Sequence, residues 1–363
     1  MKEHNLILTD IMKTGDNVSY DNFIQKNTLK NQTFTNFCEY YTLHHYNLDK
    51  YTRKLALIHL SVDNIKFETN KNYDGDSFTN ELNRRCNHLA NKGFKFIFCL
   101  PWESKENYNE SKINFFPKIT VDGHFWFGGL SWFWFLLYEK FKNKNFNIDH
   151  KLKIYDFLYL NKVPRSHRIQ LFEKLKKENL LSNSLCSFGD HPTNPFDLNK
   201  NYELPFLDKN KRYPHQGFDQ EIFEKPYNDT FLSIVSETNV NDFDFFITEK
   251  LWKPIIMQHI FVVLGNCNLY KKIKELGFKT FSNIFDESFD DDKNVNNKIN
   301  TIVKVLKKIK TMDYEKLYNK TKKIREHNYK NFFDDKNLSN VINDELLSWL
   351  EFVDNSQVSS TKS

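Results

Sequence analysis

Three short segments in the second half of the chain carry residue types suited to gripping a phosphorylated ligand. The first is Asn161–Arg168, NKVPRSHR, where Arg165, His167 and Arg168 lie between an apolar run and an amphipathic stretch. Arg168 falls in the first turn of the helix this pattern predicts. A guanidinium there, beside free backbone N–H groups, can hold a diphosphate through two parallel hydrogen bonds. An ordinary basic surface turn would read the same way. The second is Ser233–Asn239, SIVSETN, where Glu237 directly follows an apolar strand. A carboxylate so placed can accept from ribose or sugar hydroxyls, or cap a helix. The third is Thr248–Lys253, TEKLWK. Thr248 is a good N-cap and puts Glu249 in the first turn, within reach of two ribose hydroxyls. Lys250 is a cation at the positive end of a helix, which the helix dipole disfavours. That placement makes sense if the ammonium faces an anion such as a phosphate; an exposed first turn is the plainer alternative. Pro254 lacks an N–H, so the helix is expected to kink or to begin later.

These segments need elements to position them. Tyr155–Leu160, YDFLYL, reads as a buried strand, and Ile169–Leu180 as an amphipathic helix with Leu171, Phe172 and Leu175 on one face. Leu185–Phe188 and Phe231–Val235 are further strands, separated by a long polar excursion over residues 189–228. A helix at Glu249–Gln258, a strand at Ile260–Leu264 stopped by Gly265, a helix at Leu269–Leu276 closed by Gly277, and a short strand at Phe278–Phe281 follow. Strand and helix thus alternate over residues 151–281, which predicts a doubly wound parallel sheet with ligands at the carboxyl ends of its strands. The first half opens with strand Leu55–Val62, helix Ser77–Lys92 (through Leu82, Cys86 and Leu89, stopped by Gly93) and strand Phe94–Leu100. Residues 1–50 are Asn-rich with weak periodicity and read as a loosely structured lead-in. The aromatic run Phe125–Phe141 reads as core packing, or as a wall against a sugar ring. Asn300–Lys330 reads as helical, with Ile302, Leu306, Ile309 and Met312 on one stripe and a mainly basic, solvated remainder.

The whole chain bounds the classes open to it. Its 363 residues exceed what one core usually organises, so two domains are expected. A net charge of +5 on this length does not by itself indicate nucleic acid. The five cysteines are scattered and never form a CxxC pair, against a disulfide framework or a structural zinc site; Cys99, in an apolar run, reads as a small buried hydrophobe. No run reaches the ~18 apolar residues of a membrane span; Phe125–Leu137 comes nearest and is too short. MKEHNLILTD has no apolar signal region, so a cytoplasmic protein is expected.

Taken together, FLSIVSETN, a spacer and FITEKLWKPIIMQHIFVVLG resemble the donor-site signature of the α1,3-fucosyltransferase group of GT-B glycosyltransferases. In that signature an apolar strand and a glutamate precede a Thr-Glu-Lys helix and a strand ending in Gly. The spacing of Arg168, Phe172 and Leu175 is similar to the family's phosphate-binding arginine segment, and the likeness runs from Tyr155 to Phe281. Thr238 stands where the family usually has Asn, and Trp252, Lys253 and Pro254 are a less usual continuation. The resemblance implies a nucleotide-sugar donor, GDP-fucose, and a glycan acceptor. It implies that Arg168, with Arg165, contacts the diphosphate, that Glu249 holds the ribose, that Lys250 holds the phosphate next to the leaving group, and that Glu237 and Thr248 belong to the same pocket. It also implies inversion without a cofactor or bound metal. The Asp290–Asp292 run reads as a loop or helix start, not a manganese site. An inverting reaction needs a carboxylate to deprotonate the acceptor. Glu103, just after the strand FKFIFCL, is the first candidate, with Asp122 and His124 as rivals.

The expected architecture is α/β and GT-B-like: an acceptor-binding domain over 1–150, a Rossmann-like donor domain over 151–300 facing it across a cleft, and C-terminal helices over 301–363. A different UDP- or GDP-sugar, or a non-catalytic glycan- or nucleotide-binding protein of the same fold, are the alternatives. A nucleic-acid partner for the basic tail is not expected.

Overall fold

The computed structural model describes residues 5–10, 32–36, 51, 53–59, 75–100, 120–121, 123–127, 131–148, 153–161, 164–188, 221–240 and 247–345. The chain is α/β and divides into two units, residues 1–131 with 338–363, and residues 132–337.

The first unit holds strands β1 (Asn5–Asp10), β2 (Gln32–Asn36), β3 (Arg53–His59), β4 (Lys95–Leu100) and β5 (His124–Phe127), with helix α1 (Gly75–Ala90) between β3 and β4. The order β2-β1-β3-β4-β5 is parallel throughout. Residues 1–50 are therefore not merely a lead-in: they supply an edge strand and its neighbour. NLILTD is short and half polar and QTFTN is short and mostly polar, so neither shows as a strand in sequence. Cys86 and Leu89 of α1 are buried, and Gly93 stops the helix in the left-handed region at φ 80°. Phe96 and Phe98 share one face of β4 and stack at 5.9 Å. Ahead of β5, a Cβ on Gly123 would lie 2.5 Å from the Phe98 ring, so only glycine admits this approach. The side chains of Leu82 and Cys99 lie outside the described residues.

The second unit is built on β6 (Tyr155–Asn161), β7 (Ser184–Phe188), β8 (Thr230–Ser236) and β9 (Ile260–Leu264). They are parallel in the order β7-β6-β8-β9. All residues of β8 and β9 are buried, as expected of strands covered on both faces. The helices are α2 (Ser131–Phe141), α3 (Ser166–Lys177), α4 (Glu224–Asp229), α5 (Glu249–Ile256), α6 (Leu269–Glu275), α7 (Val295–Lys310) and α8 (Tyr314–Phe332). α3 packs with α7, and α5 with α8. α4 precedes β8 directly, so regular structure resumes earlier than the polar composition of 189–228 suggests.

Aromatic packing explains why α2 groups with this unit from Trp132 onward. Trp134 lies 5.2 Å from Trp252 and 5.0 Å from Phe278, and its indole N–H donates to the Phe332 carbonyl at 2.8 Å. The α2 part of the aromatic run is thus core; the side chains of β5 lie outside the described residues. Phe278–Phe281 is not a strand. Its backbone is paired by a side chain instead: Asn328 of α8 accepts from Lys279 N at 2.7 Å and donates to Lys279 O at 2.8 Å. The C-terminal stretch is two helices and not one. Asp313 accepts from Lys316 N and starts α8 anew, leaving Met312 in the turn. Ile302, Leu306 and Ile309 are buried as expected.

At the amino end of the sheet, His259 is fully enclosed. Its Nε2–H donates to Thr230 O and its Nδ1 accepts from the Ser233 hydroxyl, both at 2.7 Å. Burial drives its pKa down to about 3, so the ring is neutral. Cys86 and Cys186 are buried free thiols and Cys267 is a partly exposed one. Among the described residues, no helix is long and apolar enough to cross a membrane.

Candidate functional site

The order β7-β6-β8-β9 sends the chain outward from β6 to β7 and then back to the other side of β6. The crevice between the carboxyl ends of β6 and β8 is therefore the switch point where doubly wound sheets bind ligands. β6 ends there in Asn161 and β8 in Ser236, followed by Glu237.

α3 rises from this edge. Arg165 is its exposed N-cap residue, extended at φ −77°, and makes no side-chain cap bond. Arg168, one turn later, is 2% exposed and its Nη2 donates to the Glu237 carbonyl at 3.2 Å. Burial and the nearby Arg165 press its pKa down, yet a guanidinium stays charged in any protein setting. His167 donates from Nε2 to the same carbonyl at 3.0 Å. Burial, and then the Arg168 charge, lower His167 to about 4, so it is a neutral positioning group. Tyr159, on the β6 face that also carries Asn161, touches both the Arg168 carbonyl at 3.1 Å and Ser236 Oγ at 3.0 Å.

Glu237 joins the strand edge to α5. Its N–H donates to Leu264 O at 2.9 Å, which holds β8 against the end of β9. Its Oε1 accepts from Thr248 N at 3.2 Å, and its Oε2 from Thr248 Oγ1 at 2.6 Å and Thr238 N at 3.2 Å. The carboxylate is wholly buried and faces the helix start. Burial raises its pKa against the pull of Lys250 and Thr248. The structure thus gives Glu237 a positioning task behind the surface.

Thr248 caps α5 as its sequence context predicts, accepting from Lys250 N at 3.3 Å. Pro254 does not delay the helix. It is the sixth residue, costs one backbone bond, and the helix closes two residues later at Ile256. Glu249 is 5% exposed. Burial alone would raise its pKa, but Lys250 and Lys253 outweigh it and hold the carboxyl ionised. Lys250 Nζ lies 2.6 Å from Glu249 Oε1, 3.2 Å from Thr248 Oγ1 and 3.4 Å from Thr238 Oγ1, with 19% of its side chain open. The neighbouring carboxylate therefore answers part of the dipole argument. Gly265, which ends β9, sits tight against this network: a Cβ there would lie 2.4 Å from Leu269 Cδ2 and 3.7 Å from Glu237 Cβ.

No family model, characterised protein or solved structure matches the chain.

The geometry of the site brings Arg168, Glu237, Thr248, Glu249 and Lys250 into one connected network, with Arg165 at its exposed margin. Glu103 and Asp122 lie outside the described residues. His124 begins β5, and its side chain also lies outside them. Asp290 belongs to a 3-10 turn, where its carboxylate accepts from Tyr270 N at 2.9 Å and Lys271 N at 3.2 Å. Among the described residues, no group of three His, Cys, Asp or Glu is placed to hold a metal ion. Sequence reasoning missed Tyr159 altogether, and it gave His167, Thr238 and Asn161 no role of their own in the site. His167 was visible beside the arginines, and Tyr159 and Asn161 alternate on one strand face. The partners of His167 and Tyr159 come from the end of β8 and the residue after it, some seventy residues later, and no local pattern shows that.

Proposed function

We propose that this chain is a nucleotide-sugar glycosyltransferase of the GT-B type, transferring fucose from GDP-fucose to a glycan hydroxyl with inversion. The observation that carries the reading is the convergence of Arg168, Glu249 and Lys250 at the switch point of a doubly wound sheet. Two cations and one ionised carboxylate there match the two chemistries of a nucleotide diphosphate: anionic oxygens and ribose hydroxyls. The resemblance of this segment to the α1,3-fucosyltransferase donor signature supports the same reading.

In this mechanism the anomeric C–O bond to the diphosphate breaks as the acceptor oxygen bonds to the anomeric carbon. The acceptor's proton goes to a carboxylate, for which Glu103 is the candidate, and the nucleoside diphosphate leaves as an anion. Arg168 and Lys250 neutralise the charge that develops on the leaving oxygens. Lys250 is suited to this because its two threonine contacts are long and weak, so its open side can turn to a phosphate while Glu249 keeps hold of it. The Glu249 carboxylate, held ionised, is the group to receive ribose hydroxyls.

The test is release of nucleoside diphosphate from GDP-fucose, other GDP-sugars and UDP-sugars, in the presence of mixed glycan acceptors. The reading expects turnover with GDP-fucose and loss of at least about a hundredfold in Lys250→Ala, the order seen when one group stabilising a developing anion is removed. Turnover with a UDP-sugar alone would keep the enzyme class and discard fucose. No turnover with any donor, in a protein that still binds nucleotide, would leave a binding protein.

A further inference from the structure

Asn161 is the last residue of β6, at the switch point, and is 5% exposed. Among the described residues, neither its Oδ1 nor its Nδ2 has a partner at full hydrogen-bond geometry. A buried amide with both ends unmet forfeits its bonds to water and gains none in return, so such groups call for an explanation. Its neighbours do not supply one. The Asn161 amide approaches the Tyr159 hydroxyl as a hydrogen-bonding neighbour but outside full hydrogen-bond geometry, and that hydroxyl is already engaged by Arg168 O and Ser236 Oγ. Thr238, Thr248 and Lys250 are likewise committed to one another and to Glu237 and Glu249.

We infer that Asn161 is a ligand-binding residue of this site, whose amide is matched by a hydroxyl of the bound nucleotide sugar. A bare phosphate oxygen can only accept, and would satisfy Nδ2 alone. A hydroxyl both donates and accepts, so it serves Oδ1 or Nδ2, and a pair of vicinal hydroxyls serves both. Asn161 would then choose the hydroxyl pattern of the donor while Arg168 and Lys250 hold its charge. The inference rests on the donor-site reading above.

An apolar residue of the same size separates this role from a structural one. If the amide waits for a ligand, Asn161→Leu removes two unmet polar atoms, so the ligand-free protein melts at an equal or higher temperature than wild type. Its affinity for GDP-fucose should drop about tenfold, the loss of two ordinary hydrogen bonds, as read by calorimetric titration. If the amide is instead structural, Asn161→Leu and Asn161→Ala both lower the melting temperature sharply; that result overturns the inference whatever happens to affinity. Asn161→Ala guards against a leucine that does not fit: it should also lose affinity, with only a modest fall in stability. A wild-type protein that binds GDP-fucose alongside variants that bind it equally well overturns the inference alone. A wild-type protein that binds no nucleotide sugar overturns both the inference and the reading beneath it.

Discussion

Glu237 shows how one side chain can matter to a site without meeting the ligand. It receives hydrogen bonds on both carboxylate oxygens and on its carbonyl, and its N–H is spent on β9. Through these contacts it fixes where Arg168 stands relative to the start of α5. Both carboxylate oxygens accept from a backbone N–H, so a glutamine there would press its NH2 against one of them whichever way it turned. Glu237→Gln is therefore expected to destabilise the protein by about 1–3 kcal/mol in urea unfolding at neutral pH. A loss of a few tenths would mean that the carboxylate is not needed where it sits. Lys250 differs, because part of it remains open and two of its three contacts are weak. Its replacement should cost much affinity, and some stability as well, because it takes the nearest cation from the buried Glu249 carboxylate. This division of labour was only half legible in sequence: the Thr-Glu-Lys triplet announces a helix start with an odd charge, but nothing local shows that Glu237 turns inward toward Thr248.

At the scale of elements, β6 and β9 follow their sequence signals closely because each carries an uninterrupted apolar run. IFVVL is a strand over the residues its composition marks. Where sequence misled, a long-range partner had replaced a local one. Phe278–Phe281 has the aromatic content of a strand, yet its backbone is met by the Asn328 amide. Asn328→Ala should strand both hydrogen bonds and cost about 1–2 kcal/mol, measured by chemical unfolding; an unchanged midpoint would show that water takes over without loss. The break between α7 and α8 had a local signal that the apolar stripe masked, namely Asp313 as an N-cap. β1 and β2 had almost none, since short half-polar strands are defined by the neighbours they pair with.

For the whole molecule, the buried histidines set how stability depends on pH. His259 and His167 have folded-state values of about 3 and 4, below the ordinary value of about 6.5. The unfolded chain therefore binds more protons between these values, and the stability they lend is fully present above pH 6.5. It is lost as pH falls toward 4 and then 3. The urea midpoint should drop between pH 7.5 and pH 5, and His259→Asn, though weaker at pH 7.5, should show a shallower drop. A wild-type midpoint that holds steady or rises on acidification would contradict the burial of neutral rings. The central claim is that the edge between β6 and β8 binds a nucleoside diphosphate. Its most direct test is the melting temperature of wild type and Lys250→Ala with GDP, UDP, CMP and dTDP. A ligand at 100 times its dissociation constant adds about 2.7 kcal/mol, a readily measured shift. A donor site at this edge gives a shift with GDP in the wild type and loses the shift in Lys250→Ala. No shift with any of the four would contradict it.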